Sequence, residues 1–244
     1  MISASTSKRS GPNPILRWIF SSIGKKTIVA LTGILLVLFV TGHLLGNFTF
    51  FFGPDAINAY AKNLHSLGPL LWLIRAGLLA VLVTHIAFTV LLWKENHAAR
   101  PTRYTASNRL ETTVFARTMR LSGLVVLAFV VFHLAHFTAQ VINPEYKLMK
   151  ANLNGEMVHD VYGMMVAGFG SVPIVAFYVI GLFLLTMHLN HGLGSLFQTL
   201  GITNQHVRPL LELSTKAYAW LLFVGYASIP LSVLVFGLGK NVAK

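Results

Sequence analysis

Apolar residues gather in five long stretches, roughly residues 27–50, 69–93, 118–141, 172–197 and 216–238. Each is long enough, at about 1.5 Å of rise per helical residue, to cross a hydrocarbon core about 30 Å thick. The pattern predicts an all-α integral membrane bundle of five transmembrane helices. Its layout is an N-terminal lead over 1–26, a membrane domain over 27–238 and a C-terminal tail over 239–244. The first stretch is longer than the apolar core of a cleaved signal, so it is expected to be retained. Between Phe51 and Gly68 the run "DAINAYAKNLHSL" has spaced apolar residues and no breaker, which predicts a short surface helix. Ile15 to Ile23, with Trp18 and Phe20, follows the flexible lead around Pro12–Pro14 and suits the membrane interface. Pro173 suits a helical first turn, where its missing N–H is harmless.

The first and third stretches repeat one design. "LTGILLVLFVTGHLL" (Leu31–Leu45) and "LSGLVVLAFVVFHLA" (Leu121–Ala135) share a Thr/Ser-Gly pair, an apolar run and a His-Leu at the same offset.

Composition agrees with a membrane protein: 55% of residues are hydrophobic and 11% charged. The 19 Lys and Arg outnumber 7 Asp and Glu, but they sit in the gaps between apolar stretches, so topology explains them and no nucleic-acid partner is expected. Lys8, Arg9, Arg17, Lys25 and Lys26 precede the first span. Lys94, Arg100, Arg103, Arg109, Arg117 and Arg120 lie around the second connection, whereas the alternate segments hold only Lys62, Lys147, Lys150, Lys240 and Lys244. The positive-inside rule then puts the N-terminus in the cytoplasm and the C-terminus outside, as in a multi-pass protein of the bacterial inner membrane. With no cysteine, disulfides, thiolate-held clusters and thiolate-ligated haem are excluded, and a metal must lean on histidine. No Ser-His-Asp set, P-loop or dinucleotide fingerprint stands in a suitable context.

Histidines inside apolar spans carry the chemistry, because an ionisable group in hydrocarbon is expensive. His43, His85, His133 and His188 occupy spans one to four, one each. Each lies about 15 to 16 residues past the start of its span, roughly 24 Å along the axis. Since consecutive spans run in opposite directions, His43 and His133 share one depth, nearer the outside, and His85 and His188 another, nearer the cytoplasm. Two histidines at one depth can supply both axial nitrogens to a haem iron. The pattern therefore predicts two haem b groups, on the order of 10 Å apart along the membrane normal. The competing reading is a histidine relay in a transporter or proton channel. Gly33 and Gly123 each precede their histidine by ten residues and would lie near the other layer, leaving room for a macrocycle. His136 and His191 compete with His133 and His188 as ligands, and the repeat favours His133. His65, His97, His159 and His206 fall in connections. Arg75, inside span two near the outer layer, would meet a haem propionate or snorkel to headgroups.

These residues resemble a known family. "TGHLLGN" around His43, "VTHIAF" around His85, "RLSG" from Arg120 with His133 ten residues past its glycine, and "FYVIGLFLLTMHLNHGL" through His188 are similar to the single-chain, five-helix, dihaem cytochrome b anchor of succinate:quinone oxidoreductases and quinol:fumarate reductases. The spacing of His188, Gly192 and Leu193 favours His188 over His191. The resemblance implies that His43 and His133 hold a distal haem and His85 and His188 a proximal one. It also implies a flavoprotein subunit and an iron–sulfur subunit as partners, membrane quinone as substrate with menaquinone expected and ubiquinone the alternative, and a higher oligomer of the whole complex. One departure is Thr186, where some members carry a glutamate associated with transmembrane proton movement. The alternative within the same chemistry is a dihaem cytochrome b of a hydrogenase or formate dehydrogenase.

Overall fold

The computed structural model describes residues 13–99 and 114–239. The basic residues of 1–12 and 100–113, and the tail from 240 onward, lie outside the described residues, as do the side chains of Arg117 and Arg120. The chain is built from α1 (Pro14–Ile19), α2 (Ser22–Phe48), α3 (Pro54–His65), α4 (Pro69–Ala98), α5 (Val114–His133), α6 (Val161–Gly168), α7 (Val172–Thr199) and α8 (Arg208–Leu234), with one hairpin of β1 (Lys150–Leu153) and β2 (Glu156–His159). Among the described residues, five helices are long and apolar enough to cross a membrane: α2 continued by a tighter turn to Phe52, α4, α5 with the turn that extends it, α7 and α8.

Successive spans alternate in direction. One end of the bundle, the hairpin end, collects α3, the β-hairpin and α6, and the far end collects α1 and the α7–α8 connection. α2 packs on α4, α5 on α7, and α7 on α8, while α2 also touches α7 and α8. Ser21 caps α2 by accepting from the Gly24 amide at 3.0 Å, and Pro173 sits in the first turn of α7 as anticipated. The surface helix foreseen between Phe51 and Gly68 is α3, whose Tyr60 ring lies against Gly46 of α2, a place any side chain would fill.

The fifth span begins earlier than hydropathy suggests, at Arg208 rather than 216. Pro209 starts the helix, and Arg208 pairs with Glu212 one turn on at 2.8 Å, so two charges fit an exposed first turn. The third span also differs. Its regular helix ends at His133, and a wider turn over Leu134–Thr138 follows, in which the Ala139 amide reaches the Leu134 carbonyl at 2.7 Å. Wide turns of this kind recur at functional sites.

The connection between α5 and α7 folds into a cap. Asn154 and Gly155 both adopt positive φ, 54° and 89°, the pairing a two-residue hairpin turn requires. Asp160 caps α6 through the Gly163 amide at 2.9 Å and accepts from Asn58 of α3 at 3.1 Å. Asn58, 2% exposed, accepts in turn from the Tyr162 amide at 3.1 Å. Phe50 stacks on Tyr162 with ring centres 4.9 Å apart, joining the cap to the bundle. The main core lies directly beneath, from Phe129 and Tyr178 through Phe169 to Val233.

Candidate functional site

α2 and α5, the two copies of the internal repeat, bring His43 and His133 together with ring centres 5.8 Å apart and planes at 76°. Each ring rests on the phenylalanine one turn earlier in its own helix, Phe39 at 5.5 Å and Phe129 at 6.2 Å. Phe129 is held in turn by Gly181 of α7, where a Cβ would run into its ring. On the α8 side Tyr226 lies 6.2 Å from His43 and donates its hydroxyl to the Val40 carbonyl. Asn47, one turn beyond His43, donates to the His43 carbonyl at 2.7 Å.

His85 and His188 form the second pair, deeper toward the far end. The Thr32 hydroxyl donates to the Ile28 carbonyl at 2.7 Å, so its lone pair is free to accept from His85 Nδ1 at 3.1 Å. With its proton on Nδ1, His85 presents Nε2 as a bare donor atom. Gly33 faces His85 and Gly123 faces His188, and in each case a Cβ would sit 3.5 Å from the imidazole Cε1. The glycines thus meet the histidines of the neighbouring span, at the level their ten-residue offset predicts. His188 Nδ1 is buried without a hydrogen-bond partner.

Neither histidine pair spans closely packed helices. Among the described residues α2 packs on α4, α5 on α7 and α7 on α8, whereas the pairs draw on α2 with α5 and on α4 with α7. Each pair therefore faces across the seam between two helix hairpins. Two imidazoles bound at about 2 Å on opposite sides of one metal hold their ring centres roughly 6 Å apart. The 5.8 Å between His43 and His133 is of the size a bis-imidazole haem requires. Among the described residues no three His, Asp or Glu side chains cluster as a metal site without a macrocycle would require.

His136 is fully buried, at 0% exposure, on the wide turn after His133. Its Nδ1 lies 3.0 Å from the Tyr178 hydroxyl, which also lies 3.4 Å from His133 Nδ1. His191 is half-buried, one turn beyond the pair, and His65, His97 and His206 are exposed. Arg75 sits over the Trp72 ring at 5.1 Å, a cation–π contact one turn nearer the hairpin end. Thr186 is buried and donates back to the Leu182 carbonyl at 2.9 Å. Sequence reasoning passed over Thr32 and Tyr178. Both are polar groups inside apolar spans, and that was the available signal.

Compared with known proteins, the chain matches no family model, no curated protein and no solved structure.

Proposed function

We propose that this chain is a dihaem membrane cytochrome b, the anchor subunit of a succinate:quinone oxidoreductase or quinol:fumarate reductase, passing electrons between an iron–sulfur partner and membrane quinone. The observation that carries this reading is the approach of His43 and His133 to 5.8 Å across a helix seam, with His85 on α4 and His188 on α7 standing nearer the far end. His43 and His133 would hold one haem, and His85 and His188 the other. When bound, each haem supplies one-electron exchange at a potential set by its ligands and their surroundings.

The chain's own residues do the rest. Thr32 engages His85 Nδ1 and leaves Nε2 free, and Phe39 and Phe129 brace His43 and His133. The motif likeness around the four histidines supports the choice of complex, with a flavoprotein carrying the dicarboxylate chemistry. Charge supports the orientation. Arg17, Lys25, Lys26, Lys94 and Arg208 stand at the far end, the proposed cytoplasmic side, whereas the cap carries Asp55, Glu145, Glu156 and Asp160 beside Lys62, Lys147 and Lys150.

The test is purification of the full chain with whatever accompanies it. A reduced-minus-oxidised spectrum should show paired b-type bands with two haems per chain, and a flavoprotein in the preparation should support succinate-to-quinone electron transfer. A colourless protein with its helices intact would overturn the haem reading in favour of a histidine relay. Two haems without a flavoprotein would overturn the choice of complex alone.

A further inference from the structure

Tyr178 brings its hydroxyl within reach of two histidines at once. It is 4% exposed, on α7, and its hydroxyl lies 3.4 Å from His133 Nδ1 and 3.0 Å from His136 Nδ1. A phenol has one proton to give and lone pairs to accept with. If His133 turns Nε2 toward His43, its Nδ1 carries the proton and donates to the Tyr178 oxygen. The Tyr178 proton then goes to His136 Nδ1, the second nitrogen in reach. That order leaves His136 Nε2 protonated, and this is the nitrogen found buried without a partner. Only the wide turn over Leu134–Thr138 separates His133 from His136, and Phe132, Phe137 and Phe169 close around Tyr178 with ring centres 5.0 to 6.0 Å away. The hydroxyl is thus shielded by aromatic rings, and the two imidazoles are its hydrogen-bond partners.

We infer that Tyr178, backed by His136, is a positioning residue that fixes the tautomer and tilt of His133 and thereby lowers the reduction potential of the haem held with His43. The inference rests on the dihaem reading. A ligand imidazole that donates from Nδ1 is a stronger electron donor through Nε2, which favours the oxidised metal. His85 has an equivalent acceptor in Thr32, on a different hydrogen-bond path, so the second haem should not respond.

The experiment is a redox titration of the intact complex carrying Tyr178→Phe, which removes the hydroxyl and keeps the ring. The haem lost in a His133→Ala variant should shift to higher potential by roughly tenfold in its reduction equilibrium, which is about 59 mV for one electron. The other haem should stay put. His136→Leu leaves Tyr178 without an acceptor and should shift the same haem in the same direction by less, whereas His136→Gln restores an acceptor and should return the potential toward that of the unmodified chain. A merely packing role would make Leu and Gln behave alike. Should Tyr178→Phe fail to retain haem, the contrast between His136→Leu and His136→Gln carries the test. Unmoved potentials, equal shifts in both haems, or a shift confined to the His85–His188 haem would overturn the inference. Absence of two b-type signals from the unmodified chain would instead overturn the reading beneath it.

Discussion

The two histidine pairs share a design and differ in their surroundings. His43 and His133 lie beneath the cap of α3, the β-hairpin and α6, against Phe129, Phe132, Phe137, Tyr178 and Tyr226. His85 stands on α4, a helix of which only Leu71 is buried and which packs extensively on α2 alone. One site is thus enclosed by its own chain, and the other is left open on the α4 side. The difference teaches that a single repeat unit, copied in α2 and α5, sets the ligand geometry at the hairpin end, while enclosure is supplied separately by whatever packs around each copy. On the proposed reading, lipid and the iron–sulfur partner complete the far end.

Replacing the ligands gives the largest break in this comparison. His43→Ala or His133→Ala should remove one haem of two and leave the His85–His188 haem spectrally intact, and the reciprocal replacements should do the reverse, as read by haem content and redox titration. Retention of both haems in any of the four would sink the pairing.

Next in size is Asn58→Ala, which strips the Tyr162 amide and Asp160 of a buried partner. It should destabilise the cap by about 1–3 kcal/mol. Hydrogen exchange should quicken through 150–168 while α2 and α4 near Lys25 and Glu95 stay protected. Uniform loosening of both ends would mean that the cap and the far end are one cooperative unit.

A smaller effect is expected from pH. Burial pushes His159 below its ordinary value of 6.5, against the opposing hydrogen bond from its Nδ1 to the Met149 carbonyl. A histidine with a lowered folded-state pKa contributes fully above 6.5 and loses that contribution as pH falls from 6.5 through the lowered value. Protection of the β1–β2 hairpin should therefore drop between pH 7.5 and 5, and His159→Gln should flatten the response. The smallest effect belongs to Lys62→Ala. The Lys62–Glu156 pair, 2.5 Å apart, is exposed on both sides, so its loss should change the thermal midpoint by no more than about 1 kcal/mol of stability implies.

Much of this architecture was legible beforehand because hydrocarbon imposes simple demands. An uninterrupted apolar run announces a span, and the spacing in "DAINAYAKNLHSL" announced α3. The His43–His133 approach followed from the repeat and from counting along antiparallel axes. The cap was not foreseen, although Asn154–Gly155 is a strong turn signal, because attention to long apolar runs hides a ten-residue hairpin between them. Tyr178 was hidden by its neighbours. Within Phe177–Leu193 it reads as one more apolar residue, and only the wide turn after His133 brings His136 onto the same hydroxyl. Periodicity assumes a regular helix there.

The division of the bundle into α2–α4 and α5–α7 hairpins bears on how such a protein is made. Sequential helix pairs can enter a membrane one after the other, each already satisfied in its backbone. Every histidine couple takes one member from each pair, so on the proposed reading an iron porphyrin would act as a rivet between two separately inserted halves. Loading then adds its binding energy to the assembled form alone. On that reading, the supply of pigment would govern how firmly the two halves are joined.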